Sequence, residues 1–432
     1  MEQLKYGYNK SEYKKFMAGA WRYLLLFSLL YCAHYCTRLN IGNAQVYMTE
    51  FSSESIGILS SVLFWSYGVG HLVNGRLGEI FGVRRFIILS VILSIICNIF
   101  MGFQTSIIAM AIIWGLNGFF QSMAWSPGVS SLTAWWPGDK RGFATGFANA
   151  FSGFGQVFAT LMVAIGFVLL PNLGWRSAFF VPAILPALML VFYWIFAKES
   201  PANIGLRAYV EEDKNKADHE DEMGKIVKEK GALYPYFHLL KKPIFWVWIF
   251  VVFSSGVARY GLVTWIPKYL NETTDLKEIV SLLTSTVLPI GMGIGTLIVP
   301  TLTDKFCPNN RLWASIVSGI VSALCVLGVA FLDPNNNIQF LLMLICLFFA
   351  GFFIYAINGT VWAYAADVGG RVFASTASGI LDFAAYMGAA IQAAVYGLIL
   401  SAGNWNAVFI SVSVFCLLIA VVSLVSIRKK KA

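Results

Sequence analysis

Two arginines lie inside long apolar stretches of the chain, where no water would solvate their charge. Arg38 follows Arg22 by 16 residues and Arg259 follows Lys242 by 17 residues, and most of the residues between are apolar. At a rise of about 1.5 Å per residue, a helix would place both arginines near the middle of a membrane. An arginine costs roughly 3 kcal/mol or more at that depth, so both are functional candidates.

The chemistry available to such a pair is the binding of an anion. A guanidinium keeps its charge at any physiological pH, and its planar fork matches two oxygens of a phosphate or a carboxylate. The apolar stretches contain one clearly deep acid, Asp382. One carboxylate does not neutralise two guanidiniums, so a substrate with two or more negative oxygens would complete the set. The alternative is that each arginine pairs with a buried carboxylate and only holds helices together.

Two tyrosines share the predicted helix face of Arg38. Tyr31, Tyr35 and Arg38 occur at positions i, i+4 and i+7, which brings two phenol hydroxyls and the guanidinium to one side of a helix. Two tyrosines alone are typical of packing, but next to a buried cation they predict a polar pocket.

The deep acid has a counterpart in the first half of the chain. Asp382 lies eleven residues after Arg371, and Ser152 lies eleven residues after Arg141. Asp382 could take up a proton, pair with an arginine when the site is empty, or bind a cationic group of the substrate. A structural hydrogen bond to a neighbouring helix is the remaining alternative.

The elements that must position these residues are membrane helices. The chain has 432 residues, of which 58% are hydrophobic and 12% charged, about half the charged fraction of a soluble protein. Windows of about 19 residues predict twelve spans and an all-α integral membrane protein. The predicted spans are 21–48, 55–76, 84–104, 106–134, 142–171, 175–198, 243–270, 279–304, 312–332, 338–366, 372–402 and 405–427.

The distribution of lysine and arginine predicts the orientation of the chain. With loops numbered alternately, one side holds 26 basic residues and the other holds three. Since cytoplasmic loops are enriched in basic residues, both termini are expected in the cytoplasm. The net charge of +9 therefore indicates a lipid bilayer and not nucleic acid as partner. We expect a multi-pass protein of the bacterial cytoplasmic (inner) membrane.

The chain is predicted to consist of two six-helix halves joined by a linker. The linker, residues 199–242, is polar and carries acidic and basic residues in balance. It separates a first half, residues 1–198, from a second half, residues 243–432. The two halves are similar in sequence. Span five begins with Arg141-Gly-Phe-Ala-Thr-Gly, and span eleven begins with Arg371-Val-Phe-Ala-Ser-Thr. Internal repeats of this kind are typical of secondary transporters.

Short charged loops are candidate gates. The loop from Gly75 to Arg85 contains Glu79 among basic residues, and its counterpart in the second half contains Asp304. Such clusters could form salt bridges in one conformation and break them in another, or could set topology alone. The sequence contains no P-loop, metal-ligand spacing, nucleophile elbow or nucleotide fingerprint. We therefore expect no enzyme activity, no cofactor and no metal.

Three motifs extend the interpretation. They are Tyr35-Cys-Thr-Arg38-Leu-Asn40, Gln121-Ser-Met-Ala-Trp125-Ser-Pro and Arg259-Tyr-Gly-Leu-Val-Thr-Trp265-Ile-Pro. With these motifs the sequence resembles the major facilitator superfamily, and within it the organophosphate:phosphate antiporters, over nearly its whole length.

The resemblance implies a fold, a substrate class and a site. It implies two six-helix bundles around a central cavity, with exchange of an organophosphate such as a sugar phosphate for inorganic phosphate, and we expect a monomer. Arg38 and Arg259 match the two arginines that grip the phosphoryl group in that family. Further positions that match the family's pocket are Tyr31, Tyr35, Tyr355, Tyr386, Trp125 and Asn149.

The sequence departs from the family's pattern at four positions. Leu39 stands where the family often has lysine, His71 replaces a pocket lysine, and Ser152 replaces a histidine. Asp382 stands where a small residue is usual. The loss of positive charge and the gain of an acid favour a substrate with fewer negative charges or with an amine.

Two other functions remain open at the level of sequence. Asp382 could couple the uptake of an organic acid to protons or sodium ions, which would make the protein a symporter. The family also includes membrane receptors that bind sugar phosphate without transporting it. The linker and the short N-terminus offer no signalling module for that role.

Overall fold

A computed structural model describes residues 5–138, 140–210, 225–227, 229–231, 233–307 and 311–431. The described chain contains twelve helices that are long and apolar enough to cross a membrane. They are α1 (Lys10–Thr37), α2 (Ser53–Asn74), α3 (Val83–Gly102), α4 (Ile107–Trp135), α5 (Arg141–Leu169), α6 (Pro171–Phe196), α7 (Pro243–Thr273), α8 (Glu278–Thr303), α9 (Leu312–Phe331), α10 (Asn337–Trp362), α11 (Thr376–Ser401) and α12 (Trp405–Ile427). The number and order of the predicted spans are therefore confirmed.

The predicted start of the first span, residue 21, is wrong by eleven positions. Helix α1 begins at Lys10 because Asn9 caps it. The Asn9 side chain accepts a hydrogen bond from the Glu12 amide at 2.9 Å, and the Glu12 carboxylate accepts one from the Asn9 amide at 3.1 Å. This reciprocal cap starts a helix whose first turns are polar, and a search for apolar windows does not detect such turns.

The predicted end of the first span, residue 48, is also wrong. Regular α-helix ends at His34, a 3-10 turn covers Tyr35–Thr37, and a short separate helix follows at Asn40–Ala44. Arg38 therefore lies at a break in the helix and not in its regular interior.

Spans ten and eleven are joined by helical turns. The residues from Asn337 to Ser401, 65 in all, are helical, yet Ser255 of α7 bonds the Ile354 carbonyl of α10 while the adjacent Gly256 packs on Ala385 of α11. A straight helix of that length would measure about 97 Å, roughly three times the thickness of the apolar membrane core. The chain must therefore turn back between α10 and α11 for both to remain in the bundle.

Glycines let several of these helices approach closely. A Cβ atom on Gly291 or Gly295 of α8 would collide with the carbonyls of Phe348 or Phe352 on α10. The Cβ of any larger residue would push these helices apart, so the glycines are needed for the packing of α8 on α10.

Helices α1–α6 contact helices α7–α12 at two separate places. Near the start of α2, the Lys268 ammonium of α7 donates a hydrogen bond to the Ser53 hydroxyl at 2.6 Å. Toward the opposite end, the rings of Trp125 on α4 and Trp362 on α10 lie 6.1 Å apart. The residues between these contacts are enclosed by both halves.

Candidate functional site

The break in α1 positions the first arginine. The 3-10 turn leaves the Thr37 carbonyl without a helical partner, and two buried amides replace it. Asn117 and Asn98 donate to this carbonyl at 2.9 and 3.0 Å. Because buried backbone groups are costly when unpaired, these amides stabilise the break. The Arg38 side chain therefore leaves the helix at a defined point.

Arg38 is 2% exposed and is held by uncharged groups. Its Nε and Nη2 atoms both donate to the Gln121 Oε1 atom, at 3.2 and 3.1 Å, and its Nη1 atom donates to the Tyr386 hydroxyl at 3.1 Å. The Arg38 Cζ atom lies 4.4 Å from the ring centroids of Tyr35 and of Tyr67. Aromatic faces attract a cation, so these rings further stabilise the charge.

Arg259 lies in the interior of α7, is 6% exposed and has fewer partners. Its Nη2 atom donates to the Tyr260 hydroxyl, and its Cζ atom lies 4.1 Å from the Tyr260 ring and 4.8 Å from the Tyr355 ring. Its Nε atom is buried without a hydrogen-bond partner. This guanidinium therefore retains an unused donor.

A chain of hydroxyl groups joins the two arginines. The Tyr260 hydroxyl donates to the Tyr386 hydroxyl at 2.9 Å, and the same Tyr386 oxygen accepts from Arg38. The sequence Arg259, Tyr260, Tyr386, Arg38 thus crosses from α7 to α1 through α11. The arginines of the two halves belong to one continuous polar cluster.

The positive charge of this cluster exceeds its negative charge. Within the described residues, no carboxylate lies within 4.0 Å of the guanidinium of Arg38 or Arg259. Neutral partners and aromatic rings offset only part of the cost of burying two cations. An anionic ligand would supply the missing charge, and the reading of the arginines as purely structural partners of carboxylates has no support among these residues.

Asp382 lies beside this cluster but forms no ion pair with either arginine. It is 5% exposed, and its Oδ2 atom lies 3.6 Å from the Nδ1 atom of His71. The same His71 nitrogen is 3.1 Å from the Ser126 hydroxyl. The Asp382 Oδ2 atom accepts no hydrogen bond. Asp382 and His71 therefore form a second polar group, contributed by α11 and α2.

The other predicted residues join the same cluster. Ser152 on α5 exchanges a hydrogen bond with the Tyr355 hydroxyl on α10 and donates to the Asn149 carbonyl at 2.5 Å. The Asn149 Nδ2 atom is buried without a partner. The ring of Trp125 lies 4.8 Å from that of Tyr31. The ten predicted substrate-binding residues are thus linked by side-chain contacts, and their role in binding stays a prediction.

The two predicted gating acids cannot be placed in this way. Glu79 belongs to the helix Ser53–Phe81 and Asp304 to the helix Val287–Phe306. Their side chains lie outside the described part of the structure, so the gating hypothesis rests on the sequence.

Three members of the cluster were missed by sequence reasoning. Tyr67 precedes His71 by one helical turn and so shares its face, which is a signal that the sequence carries. Gln121 is a polar residue in an apolar span and opens one of the quoted motifs. Tyr260 gave no such signal, because neighbouring helix residues point about 100° apart and its contact depends on how the Arg259 side chain folds back.

Comparison with known proteins agrees with this architecture. The family described as Major Facilitator Superfamily matches residues 26–393. A probable hexose phosphate transport protein of Chlamydia pneumoniae is 26% identical over 406 residues, covering 90% of this chain and 88% of that protein. The glycerol-3-phosphate transporter of Bacillus subtilis (strain 168) is 26% identical over 398 residues, with the same two coverages.

Two further comparisons concern function and fold. The membrane sensor protein UhpC of Escherichia coli (strain K12) is 25% identical over 395 residues, covering 90% of this chain and 88% of that protein. Among solved structures, a bacterial homologue of the human lysosomal transporter Spinster, inward-facing and unoccupied, matches with a TM-score of 0.72. That match covers 95% of this chain and 97% of the other at 16% identity, and so concerns the fold alone.

Proposed function

Because the chain belongs to the Major Facilitator Superfamily and is a multi-pass protein of the bacterial inner membrane, we propose that it exchanges a small organophosphate for inorganic phosphate. The observation that carries the proposal is the pair of buried guanidiniums, one from each half, without a carboxylate partner among the described residues. The relatives named as hexose phosphate and glycerol-3-phosphate transporters support the same substrate class.

A phosphoryl group fits the donors of this cluster. The Arg259 Nε atom is an unused donor, and Tyr386 accepts two hydrogen bonds while its own proton has no acceptor in the described structure. The three terminal oxygens of a phosphate ester can accept from both guanidiniums and from this hydroxyl together. Such charge-assisted hydrogen bonds are about twice as strong as neutral ones.

Binding by both halves explains why the protein would exchange one anion for another and would not transport an anion in one direction only. An empty site holds two cations whose charge is only partly offset, which opposes closure of the halves around it. An anion bound between Arg38, which directly follows α1, and Arg259 on α7 removes that opposition. Either the organophosphate or phosphate could serve, so each half-cycle would carry one of them across by alternating access.

The test is exchange of labelled phosphate into proteoliposomes that contain unlabelled phosphate. We expect rapid exchange by the natural protein and at least a hundred-fold loss in Arg38→Ala and in Arg259→Ala. Arg22→Ala is the matched control, because Arg22 is an exposed arginine of α1, the helix that leads to Arg38, and it should exchange normally. Exchange that survives in both pocket variants would overturn the proposal, and binding without any exchange would favour a receptor.

A second candidate is a proton-coupled organic-acid symporter, which the buried pair of Asp382 and His71 favours. A carboxylate without an arginine partner could take up a proton during each cycle. In that case a pH gradient alone would drive net uptake of the substrate, and Asp382→Asn would abolish the driven component. Exchange that is independent of the gradient would eliminate this candidate.

A further inference from the structure

Asp382 is the one deep acid of the apolar spans, and the exchange of simple organophosphates gives it no role. We propose that the site takes a zwitterionic organophosphate or phosphonate, whose phosphoryl group binds Arg38 and Arg259 and whose ammonium group binds Asp382. This inference rests on the proposed function and specifies the class of its organic substrate.

Asp382 lies one helical turn from a residue that bonds the Arg38 guanidinium. Asp382 precedes Tyr386 by four residues on α11, a rise of about 6 Å along the helix, and Tyr386 is a hydrogen-bond partner of Arg38. Both side chains therefore lie on one helix face, one turn apart. A chain of two or three carbons between phosphorus and nitrogen would let one molecule reach both groups.

The Asp382 carboxylate has unused hydrogen-bonding capacity. The Asp382 Oδ2 atom accepts no hydrogen bond although the residue is 5% exposed. A buried carboxylate oxygen without a donor is costly, and an ammonium group has three donors. The His71 Nδ1 atom stands 3.6 Å from this oxygen and is within hydrogen-bond distance of Ser126.

Aromatic side chains lie between Asp382 and Arg38. The ring of Tyr67 lies 4.1 Å from that of Tyr386 and 4.6 Å from that of His71. Aromatic faces stabilise ammonium groups as well as guanidiniums. The side chains around Asp382 therefore suit a cation, whereas a second anionic group would meet a carboxylate there.

A zwitterionic substrate would balance the charges of the two arginines and Asp382. Two guanidiniums and one carboxylate leave one positive charge, and a dianionic phosphoryl group with an ammonium adds one negative charge. The loaded site is then neutral. A simple organophosphate dianion leaves the site with one excess negative charge, unless Asp382 is protonated. A neutral complex is the least costly to bury.

The experiment compares pairs of inhibitors that differ by one amine. Exchange of labelled phosphate is inhibited with 2-aminoethylphosphonate or ethylphosphonate, and with phosphoethanolamine or ethyl phosphate. In the natural protein we expect each amine to act at a concentration at least ten-fold lower than its amine-free partner. In Asp382→Asn the preference should vanish or reverse, while Glu278→Gln, which removes an exposed acid at the start of α8, should keep it.

The outcomes separate this inference from the proposed function. Normal phosphate exchange without any preference for the amines would overturn the inference and leave the exchange function standing. A preference that persists in Asp382→Asn, or uptake driven by a pH gradient and lost in Asp382→Asn, would also overturn it. If no exchange occurs, or if Asp382→Asn does not fold, thermal stabilisation of the natural protein by each amine and its partner decides whether the preference exists.

Discussion

The two arginines of the cluster occupy equivalent helices but have different surroundings. Arg38 lies at a stabilised break in α1, donates three hydrogen bonds and faces several aromatic rings. Arg259 lies within the unbroken helix Pro243–Thr273, donates one hydrogen bond to its neighbour Tyr260 and keeps a free Nε atom. We interpret Arg38 as the fixed half of the anion site and Arg259 as the half that adjusts to the ligand.

Gln121 supports the fixed arginine, and its removal is expected to have the largest effect. Gln121 accepts from Arg38 twice, and its Nε2 atom donates to Thr37 at 2.9 Å and to Ser94 at 2.7 Å. Gln121→Leu would leave the Nε and Nη2 donors of Arg38 without their acceptor, so we expect a loss of about 3 kcal/mol of stability together with most exchange. The measurement is thermal unfolding in detergent, with Gln104→Leu as control, because Gln104 is only half-buried and its hydrogen bond to the Phe100 carbonyl is exposed to solvent. Unchanged stability would contradict the fixed role of Arg38.

A smaller effect should distinguish the two arginines directly. Lysine keeps the charge but cannot donate two hydrogen bonds in a fixed fork. Arg38→Lys should therefore lower both the thermal midpoint and the exchange rate. Arg259→Lys should lower exchange about ten-fold or more while the thermal midpoint stays nearly unchanged. Equal losses of stability in the two variants would show that both arginines are equally preorganised.

The smallest expected effect concerns the hydroxyl chain between the arginines. Tyr386→Phe removes the acceptor shared by Arg38 and Tyr260, which should weaken phosphate binding by about 1 to 2 kcal/mol. Tyr260→Phe removes the acceptor of Arg259 and one donor to Tyr386 but leaves the bond between Arg38 and Tyr386 in place, so it should cost less. Tyr396→Phe is the control, because Tyr396 lies on the same helix and bonds Ser411 away from the site. The reverse order of the two pocket variants would contradict the proposed linkage.

The features that sequence predicted are those set by a local pattern. Apolar length determined the count of spans, and the cost of buried charge identified Arg38, Arg259 and Asp382 without any structure. The structure then placed Tyr35 against the Arg38 guanidinium, as the helical spacing predicted.

The features that sequence missed depend on contacts between distant segments. The break at Arg38 is stabilised by amides of α3 and α4, which no pattern within α1 reveals. The polar start of α1 is a different case, because its cap pairs Asn9 with Glu12 three residues later, a local signal that a search for apolar windows does not detect. Tyr260 belongs to the site because the Arg259 side chain folds back over its ring. Helix geometry alone does not determine the direction of that side chain.

The most direct test of the account is a double-mutant cycle on equilibrium binding of inorganic phosphate to the purified protein. If both guanidiniums hold one anion, Arg38→Ala and Arg259→Ala should each weaken binding at least a hundred-fold, and combining them should add little, because the site is lost after either change. Phosphate binding of natural strength in the double variant would contradict the central claim.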